Sequence, residues 1–154
     1  MPVEAEEIPG DDNVSRHFDS PYRVGLDGDL VWGKIFEFMR GEPESLVWRK
    51  YKPTIEEVHA LGCERQVKIR ERKPEWTYEG AATANVGQIR NVRTARGHGF
   101  VVKHEPGDGQ GAHHAEISRE SFVENRALEP ADKTELLFVL ERLFVDVDMH
   151  RCRN

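Results

Sequence analysis

Four of the seven histidines lie close together in the sequence, and they flank a glycine-rich loop from Glu105 to Ala112. They are His98, His104, His113 and His114. Histidine changes its protonation state near neutral pH more readily than any other side chain, and it is the commonest metal ligand. This segment is therefore the first place to look for acid–base or metal chemistry.

A β-hairpin is the element that must position these histidines. The strong β-formers from Phe100 to Val102 predict a strand from His98 to His104, and residues 113–118 predict its antiparallel partner. His98 and His104 share a face but lie roughly 20 Å apart along the strand, so they cannot complete one metal site together. His104 and His113 can instead face each other where the hairpin meets its loop, as two nitrogen ligands or as a general base and acid.

A metal site on this hairpin needs a third ligand from elsewhere, because catalytic zinc has three protein ligands and structural zinc has four. The candidates for it are Asp108, His17 and His59. No sequence pattern places one of these three residues beside His104 and His113, so we predict no metal. The loop glycines permit close approach of a phosphate, but the loop lacks the known nucleotide-binding patterns, and we predict no cofactor.

The middle of the chain is locally basic, although the whole chain has a formal charge of −6. Residues 64–104 contain nine Lys and Arg residues against four Asp and Glu residues, with Trp76 and Tyr78 among them. Cations interleaved with aromatic rings are typical of surfaces that bind single-stranded nucleic acid. The candidate binding residues are Arg90, Arg93, Arg96, Trp76 and His114. The interleaved glutamates favour an ordinary solvated surface, so nucleic acid remains an open alternative.

The two cysteines, Cys63 and Cys152, are far apart and lack the CxxC spacing of metal or redox sites, so both are predicted to be reduced thiols. His59 precedes Cys63 by four residues on a predicted helix, which places a base beside a thiol. A helix carboxyl terminus disfavours the thiolate, so a structural cysteine is the better interpretation. The chain shows no apolar run long enough to span a membrane and no apolar signal segment, which predicts a cytoplasmic protein.

The remaining patterns predict one folded domain over residues 16–150, preceded by an acidic, disordered tail over residues 1–15. Asp27-Gly28, between Val24/Leu26 and Leu30/Trp32, predicts a short hairpin, and residues 45–51 predict a strand. Thr54 and Glu57 form a capping box that opens a helix ending at Gly62, after which Val67 and Ile69 predict an edge strand.

Two further helices are expected, near residues 85–92 and 132–147. The second is predicted to be the longest helix, opened by Asp132 and Glu135, and it is apolar on nearly every side. The fold class that follows is α+β: a short antiparallel sheet that includes the 98–118 hairpin, packed by two or three helices with a long C-terminal helix.

Three functional hypotheses remain open, and the last of them is metal-dependent hydrolysis through the same histidines, which needs a ligand that the sequence does not identify. The other two are as follows. The apolar C-terminal helix, the acidic tail and the lack of a complete catalytic motif favour a non-enzymatic module that binds a protein partner or itself. The alternative is a small phosphodiesterase or ribonuclease in which His104 and His113 act as general base and acid while Arg90, Arg93 and Arg96 hold phosphate.

Several short segments resemble a group of small uncharacterised bacterial proteins. In that group a strand ending in a hydrophobic–Pro segment is followed by a Pro-Ala-His-Ala-like strand. The matching segments here are Arg16-His17, Ser45-Leu46-Val47, residues 99–106 and residues 112–117. Residues 111–114, Gly-Ala-His-His, depart from the group's usual proline and add a histidine. The resemblance implies bacterial origin and no known activity.

Overall fold

The computed structural model describes residues 4–25, 27–107 and 109–153. Three sequence predictions concern residues outside these ranges: Leu26 beside the predicted hairpin turn, Asp108 as a third metal ligand, and residues 1–3 of the predicted tail. The described chain forms one antiparallel sheet with helices on both faces, which confirms the α+β prediction. None of the described helices is both long and apolar enough to cross a membrane.

The sheet has six strands in the order β4-β5-β2-β1-β3-β6, and every neighbouring pair is antiparallel. The strands are β1 (Asn13–Ser20), β2 (Glu44–Trp48), β3 (Thr77–Asn85), β4 (Phe100–His104), β5 (His114–Arg119) and β6 (Asp146–Met149). The predicted hairpin is therefore present as β4 and β5, and it forms one edge of the sheet.

The helices cover the two faces of the sheet unequally. They are α1 (Trp32–Ile35), α2 (Ile55–Ile69), α3 (Val86–Arg90), α4 (Glu120–Val123) and α5 (Pro130–Leu143), with a 3₁₀ turn at Met39–Gly41. Val14, Leu46 and Trp48 pack with α1, α3 and α5 in the larger core. Side chains alternate along a strand, so the residues next to these three face the opposite side of the sheet. On that side Val47 packs with Val58 of α2.

The folded domain begins earlier than predicted. β1 starts at Asn13, so the expected boundary at residue 16 falls inside a strand. Ile8 is buried in the larger core, and the Trp48 indole donates to Asp12 at 2.7 Å. The acidic composition suggested a segment that could not bury enough apolar surface, but one isoleucine and backbone hydrogen bonds to α3 hold residues 8–12 against the sheet.

Helix α2 is longer than predicted. The capping box of Thr54 and Glu57 is confirmed, but the helix continues past Gly62 to Ile69. A glycine inside a helix is unfavourable by about 1 kcal/mol relative to alanine. Here a Cβ atom would lie 2.3 Å from the Tyr78 ring, so Gly62 lets α2 approach β3 rather than ending the helix. The predicted strand at Val67 and Ile69 is therefore wrong.

The C-terminal part also differs from the prediction. α5 ends at Leu143 and, with 14 residues, is shorter than the 15-residue α2. Its capping box uses Glu129 and Asp132, three residues before the expected pair. Val147, the last residue of the predicted helix, lies in β6, which pairs with β3 at the other edge of the sheet.

Two local predictions need correction. Cys63 and Cys152 form a disulfide, with their Cα atoms 5.6 Å apart, rather than two reduced thiols. Sequence distance did not exclude this pairing, since β6 brings the C-terminal segment back beside α2. The Asp27-Gly28 turn closes a single bridge between Val24 and Leu30 instead of a two-stranded hairpin.

Candidate functional site

A pocket of about 430 Å³ lies between α2, the face of the sheet that α2 covers and the loop from β4 to β5. Its volume is within the range of small-molecule sites. The polar and charged side chains that line it are Ser15, His17, Ser45, Glu64, Arg65, Lys68, Gln110, His113 and His114. We call this cavity the histidine pocket.

Strand alternation and helix periodicity together build the walls of the histidine pocket. Ser15 and His17 are two residues apart on β1, so both point toward α2. Leu61, Arg65 and Lys68 recur at spacings of four and three along α2, which places them on one side of that helix. The pocket thus exists only because α2 extends beyond Gly62.

His114 is held in one orientation by two hydrogen bonds. Its Nδ1 lies 2.7 Å from the carbonyl oxygen of Glu105, which can only accept, so Nδ1 carries the proton. Its Nε2 is then the basic nitrogen, and it lies 3.3 Å from Oγ of Ser45. A hydroxyl beside a base that a third group orients is the arrangement used to activate oxygen nucleophiles. Ser45 is solvent-exposed, whereas His114 is buried.

His113 is the most available base in the histidine pocket. The described residues offer its ring nitrogens no hydrogen-bond partner, and the ring is half-buried against Gly111, where a Cβ would lie 2.8 Å from His113 Cε1. Burial lowers the pKa of His113 below its ordinary value, and the positive charge of Lys52 acts in the same direction. The ring is therefore mainly neutral at pH 7 and able to accept a proton.

His17 forms the floor of the histidine pocket and does not titrate near neutral pH. Its Nε2 donates to the carbonyl oxygen of Val58 at 2.9 Å, and its ring meets Tyr78 edge-on. Burial lowers the pKa of His17 to about 3, with a further contribution from the positive charge of Arg65. A neutral, fixed ring is better suited to shaping the pocket than to transferring protons.

The rim of the histidine pocket favours anions. Arg65 and Lys68 are exposed on α2, and the ion pairs among the described residues involve neither of them nor the neighbouring Glu64. Two of the loop glycines that border the pocket, Gly109 and Gly111, have positive φ of 77° and 90°. Such backbone brings main-chain groups close to a ligand without side chains in the way.

His104 is not part of this pocket. It pairs with Ala115 across the hairpin rather than with His113, and it packs against the rings of Trp48 and Tyr51. Its Nδ1 accepts from the backbone N–H of Glu6 at 3.0 Å, and its Nε2 donates to the carbonyl oxygen of Ala112 at 2.7 Å. Both ring nitrogens are thus engaged in holding the N-terminal segment and the loop.

The predicted cationic and aromatic binding residues do not come together. Arg90 donates to the carbonyl oxygens of Ile8 and Val102. Arg93 lies 3.7 Å from the carboxylate of Glu120. Arg96 lies 3.7 Å from the carboxylate of Asp132. None of these three arginines lines the histidine pocket.

Trp76 is 8% exposed beneath the guanidinium of Arg65, so its ring offers little surface for stacking. Of the candidate binding residues, only His114 is in the pocket.

Two of the other histidines, His59 and His98, also lie outside the histidine pocket. His59 contacts the Tyr78 hydroxyl at 2.7 Å and Asp148 at 2.6 Å, and His98 lies 3.5 Å from Asp132. Within residues 4–25, 27–107 and 109–153, no group of three or more His, Cys, Asp and Glu side chains is placed to hold a metal ion.

Sequence reasoning missed Ser15, Ser45, Arg65 and Lys68 as pocket residues, and it named His17 only as a possible third metal ligand. Alternation along β1 and β2 could have indicated the strand residues, but only the pairing of β1 with β2 and of β2 with β5 brings them to His114. The α2 residues required the helix to be extended past Gly62. Comparisons with protein-family models, curated proteins and solved structures give no match to this chain.

Proposed function

We propose that the histidine pocket binds a phosphate-bearing ligand and that the protein is a histidine-dependent phosphodiesterase or ribonuclease. One observation carries this proposal: His113 and His114 line the same cavity as Arg65 and Lys68, next to a glycine-rich loop. Acid–base catalysis needs two titratable groups at one scissile bond, and phosphoryl transfer needs positive charge on the non-bridging oxygens. The catalytic pair proposed here is His113 with His114, in place of His104 with His113.

In the reaction that we propose, His113 is the general base and His114 is the general acid. Neutral His113 takes the proton from the attacking oxygen, which is a ribose 2′-hydroxyl or a water molecule. A new P–O bond forms, and the bond to the leaving oxygen breaks with its electron pair on that oxygen. His114 enters this step as the imidazolium ion, with protons on both ring nitrogens, and gives its Nε2 proton to the leaving oxygen. The step ends with His114 neutral and His113 protonated. Arg65 and Lys68 stabilise the charge that develops on the phosphoryl oxygens.

Ser45 is a positioning residue in this account. Its hydroxyl meets Nε2 of His114 on the same face of the sheet, so it keeps the ring directed into the histidine pocket. The carbonyl oxygen of Glu105 fixes the tautomer from the opposite side of the ring. Together the two contacts define which nitrogen of His114 exchanges protons.

Cleavage of a fluorogenic oligoribonucleotide and of bis(p-nitrophenyl) phosphate tests the proposal. We expect His113→Ala and His114→Ala each to lower kcat by at least about 100-fold, as removal of a general acid or base does. Lys103→Ala, an exposed change on β4 outside the pocket, is the matched control and should retain full activity. Equal activity of all four proteins, purified in the same way, would show that the histidine pocket is not catalytic.

The interaction-module hypothesis loses its main support in α5. That helix ends at Leu143 and buries Leu136 and Leu140 in the larger core, although Phe138 stays 56% exposed. Association with a protein partner therefore needs a surface other than the apolar face of α5.

The cellular location and bacterial origin of the protein also remain proposals. The sequence predicts the cytoplasm, but disulfides such as Cys63–Cys152 persist mainly in oxidising compartments. We propose that the protein works in an oxidising compartment, where this disulfide can form and persist. Alkylation of free thiols at the moment of cell lysis, followed by mass spectrometry, should show Cys63 and Cys152 protected from the reagent; full alkylation of both would support the cytoplasm instead.

A further inference from the structure

A second concave region lies on the side of the sheet that α5 covers. It is a groove of about 440 Å³ between residues 37–41, the end of β5, α4 and the first turn of α5. Four cations line it, namely Arg40, Arg119, Arg126 and Lys133, against the single acid Glu37. We call it the basic groove. Its charge is opposite to the formal charge of −6 of the whole chain.

Most of this positive charge has no counter-charge in the described part of the molecule. Arg126 pairs with Glu120 at 3.4 Å and with Glu124 at 2.6 Å. The ion pairs among the described residues include no partner for Arg40, Arg119 or Lys133. Arg40 and Lys133 are exposed, so both are accessible to an incoming anion.

Arg119 is the cation that gains most from an anionic ligand. Its Nη2 donates to the carbonyl oxygen of Phe38 at 3.0 Å, and its guanidinium lies 5.4 Å from the centre of the Phe38 ring. Its Nε is buried and finds no hydrogen-bond partner among the described residues. Burial lowers the pKa of Arg119, because the charged form loses solvation. A carboxylate next to the guanidinium would replace that lost solvation.

The wall of the basic groove is built on unusual backbone. Phe38 and Arg40 have positive φ of 48° and 55°, a conformation that non-glycine residues rarely adopt and that clusters at functional sites. Glu44 accepts from the Phe38 N–H at 2.8 Å and so holds this segment. At Gly41, φ is 77°, and a Cβ atom would lie 2.1 Å from the Phe122 ring.

This backbone presents apolar surface beside the cations. Met39 is 62% exposed and Phe122 is 53% exposed, and both line the basic groove. Exposed methionine and phenylalanine next to positive charge match a ligand that carries both carboxylates and apolar side chains.

We propose that the basic groove binds an acidic segment of a partner protein. Carboxylates of that segment contact Arg40, Arg119 and Lys133, and one of its apolar side chains packs on Met39 and Phe122. A nucleic acid is a poorer fit, since its regularly spaced phosphates require an extended positive surface. Here Glu37 lines the groove, and Glu120 and Glu124 lie at its edge. The proposal is independent of catalysis in the histidine pocket, which uses none of these residues.

Fluorescence anisotropy with a labelled peptide of repeating Glu-Glu-Leu units tests this proposal in the full chain. We expect saturable binding that weakens as salt is added, and no binding of a Lys-Lys-Leu peptide of the same length. Arg40→Glu with Lys133→Glu should weaken binding at least about tenfold, because like charges oppose each other across an interface. Arg72→Glu with Lys73→Glu is the matched control: both residues are exposed, lie outside the groove, and carry the same change in charge.

A third variant separates docking in the groove from general attraction between charges. Met39→Ser keeps every charge, and it should weaken binding of the peptide several-fold if an apolar side chain of the peptide packs on Met39. Equal weakening by the groove and control charge variants, or an unchanged Kd with Met39→Ser, would overturn the proposal. Binding of an oligouridine in place of the peptide, lost in the groove variant alone, would also overturn it and assign the groove to nucleic acid. Circular dichroism of each variant checks that the fold is retained.

Discussion

Oγ of Ser45 lies 3.3 Å from Nε2 of His114, and the other ring nitrogen of that histidine lies 2.7 Å from the carbonyl oxygen of Glu105. The carbonyl contact fixes the proton on Nδ1, and so Nε2 is the nitrogen that can exchange protons inside the histidine pocket. Because Ser45 and His114 lie on the neighbouring strands β2 and β5, the rigid sheet sets their separation.

Removal of the Ser45 hydroxyl should reduce turnover without abolishing it. We expect Ser45→Ala to lower kcat by about tenfold and to leave KM nearly unchanged, because the ring of His114 loses one of its two orienting contacts. Steady-state kinetics on the oligoribonucleotide measures both constants. Ser118→Ala, on the same face of β5, is the matched control, and a kcat for Ser45→Ala equal to that of the control would remove Ser45 from the account.

The pH dependence of activity should report His113. Burial lowers the pKa of this group, and catalysis requires its neutral form. Activity should therefore rise with pH, and the midpoint of this rise should lie below pH 6.5, which is the ordinary pKa of histidine. The measurement is kcat/KM across the acid range. A half-point above pH 6.5 would contradict the assignment of His113 as the base.

Acid should destabilise the fold through His17. The pKa of this buried ring is about 3 in the folded protein and near 6.5 in the unfolded chain, so the unfolded state binds the extra proton between these values. The contribution of His17 to stability is fully present above pH 6.5 and is lost as pH falls toward 3. The free energy of unfolding should decrease by up to about 1.4 kcal/mol per pH unit in this range. Urea denaturation at several pH values measures this slope.

His17→Gln is the matched variant for the acid experiment, because an amide can still donate to the carbonyl oxygen of Val58. Its unfolding free energy should be lower at pH 7, since the ring contact with Tyr78 is lost, but it should fall less steeply between pH 6.5 and 3. Parallel pH profiles for the two proteins would show that another group governs the acid sensitivity.

Reduction of the disulfide should destabilise the protein and release its C-terminal strand. Cys63 and Cys152 are 89 residues apart in sequence, and a cross-link that closes so long a loop stabilises a fold by roughly 2–5 kcal/mol. Cys63→Ser with Cys152→Ser should lower the unfolding free energy by that amount. Hydrogen exchange should show the largest loss of protection in β6. An unchanged melting temperature on reduction of the native protein would contradict this role.

The hairpin and the start of α2 were predictable because their signals are local. The β-formers of β4 and the turn residues after them specify one strand pair, and the capping box at Thr54 is confirmed where it was expected. Strand β3 gave no such signal, since its centre is Gly80-Ala81-Ala82, and small residues are weak strand formers. Gly80 has no side chain because β6 approaches it closely: a Cβ there would lie 2.4 Å from the backbone oxygen of Asp148.

The histidine pocket was predictable only in part. The sequence indicated His113, His114 and the glycine loop, which lie together at the start of β5. It placed His104 with them because alternation along a strand gives the face of a residue but not its cross-strand partner, and the register pairs His104 with Ala115. Ser45 and Arg65 depend on contacts between distant parts of the chain, which no local pattern contains.

A titration of the protein with uridine 3′-monophosphate, followed by long-range proton–nitrogen NMR of the histidine rings, tests the central claim most directly. We expect saturable shifts of the His113 and His114 ring nitrogens, with His104 and His98 unchanged because both are buried outside the histidine pocket. Loss of binding in Lys68→Ala would place the phosphate at the rim. Shifts confined to His104, or the absence of any saturable shift, would contradict the assignment of this pocket as a phosphate-binding catalytic site.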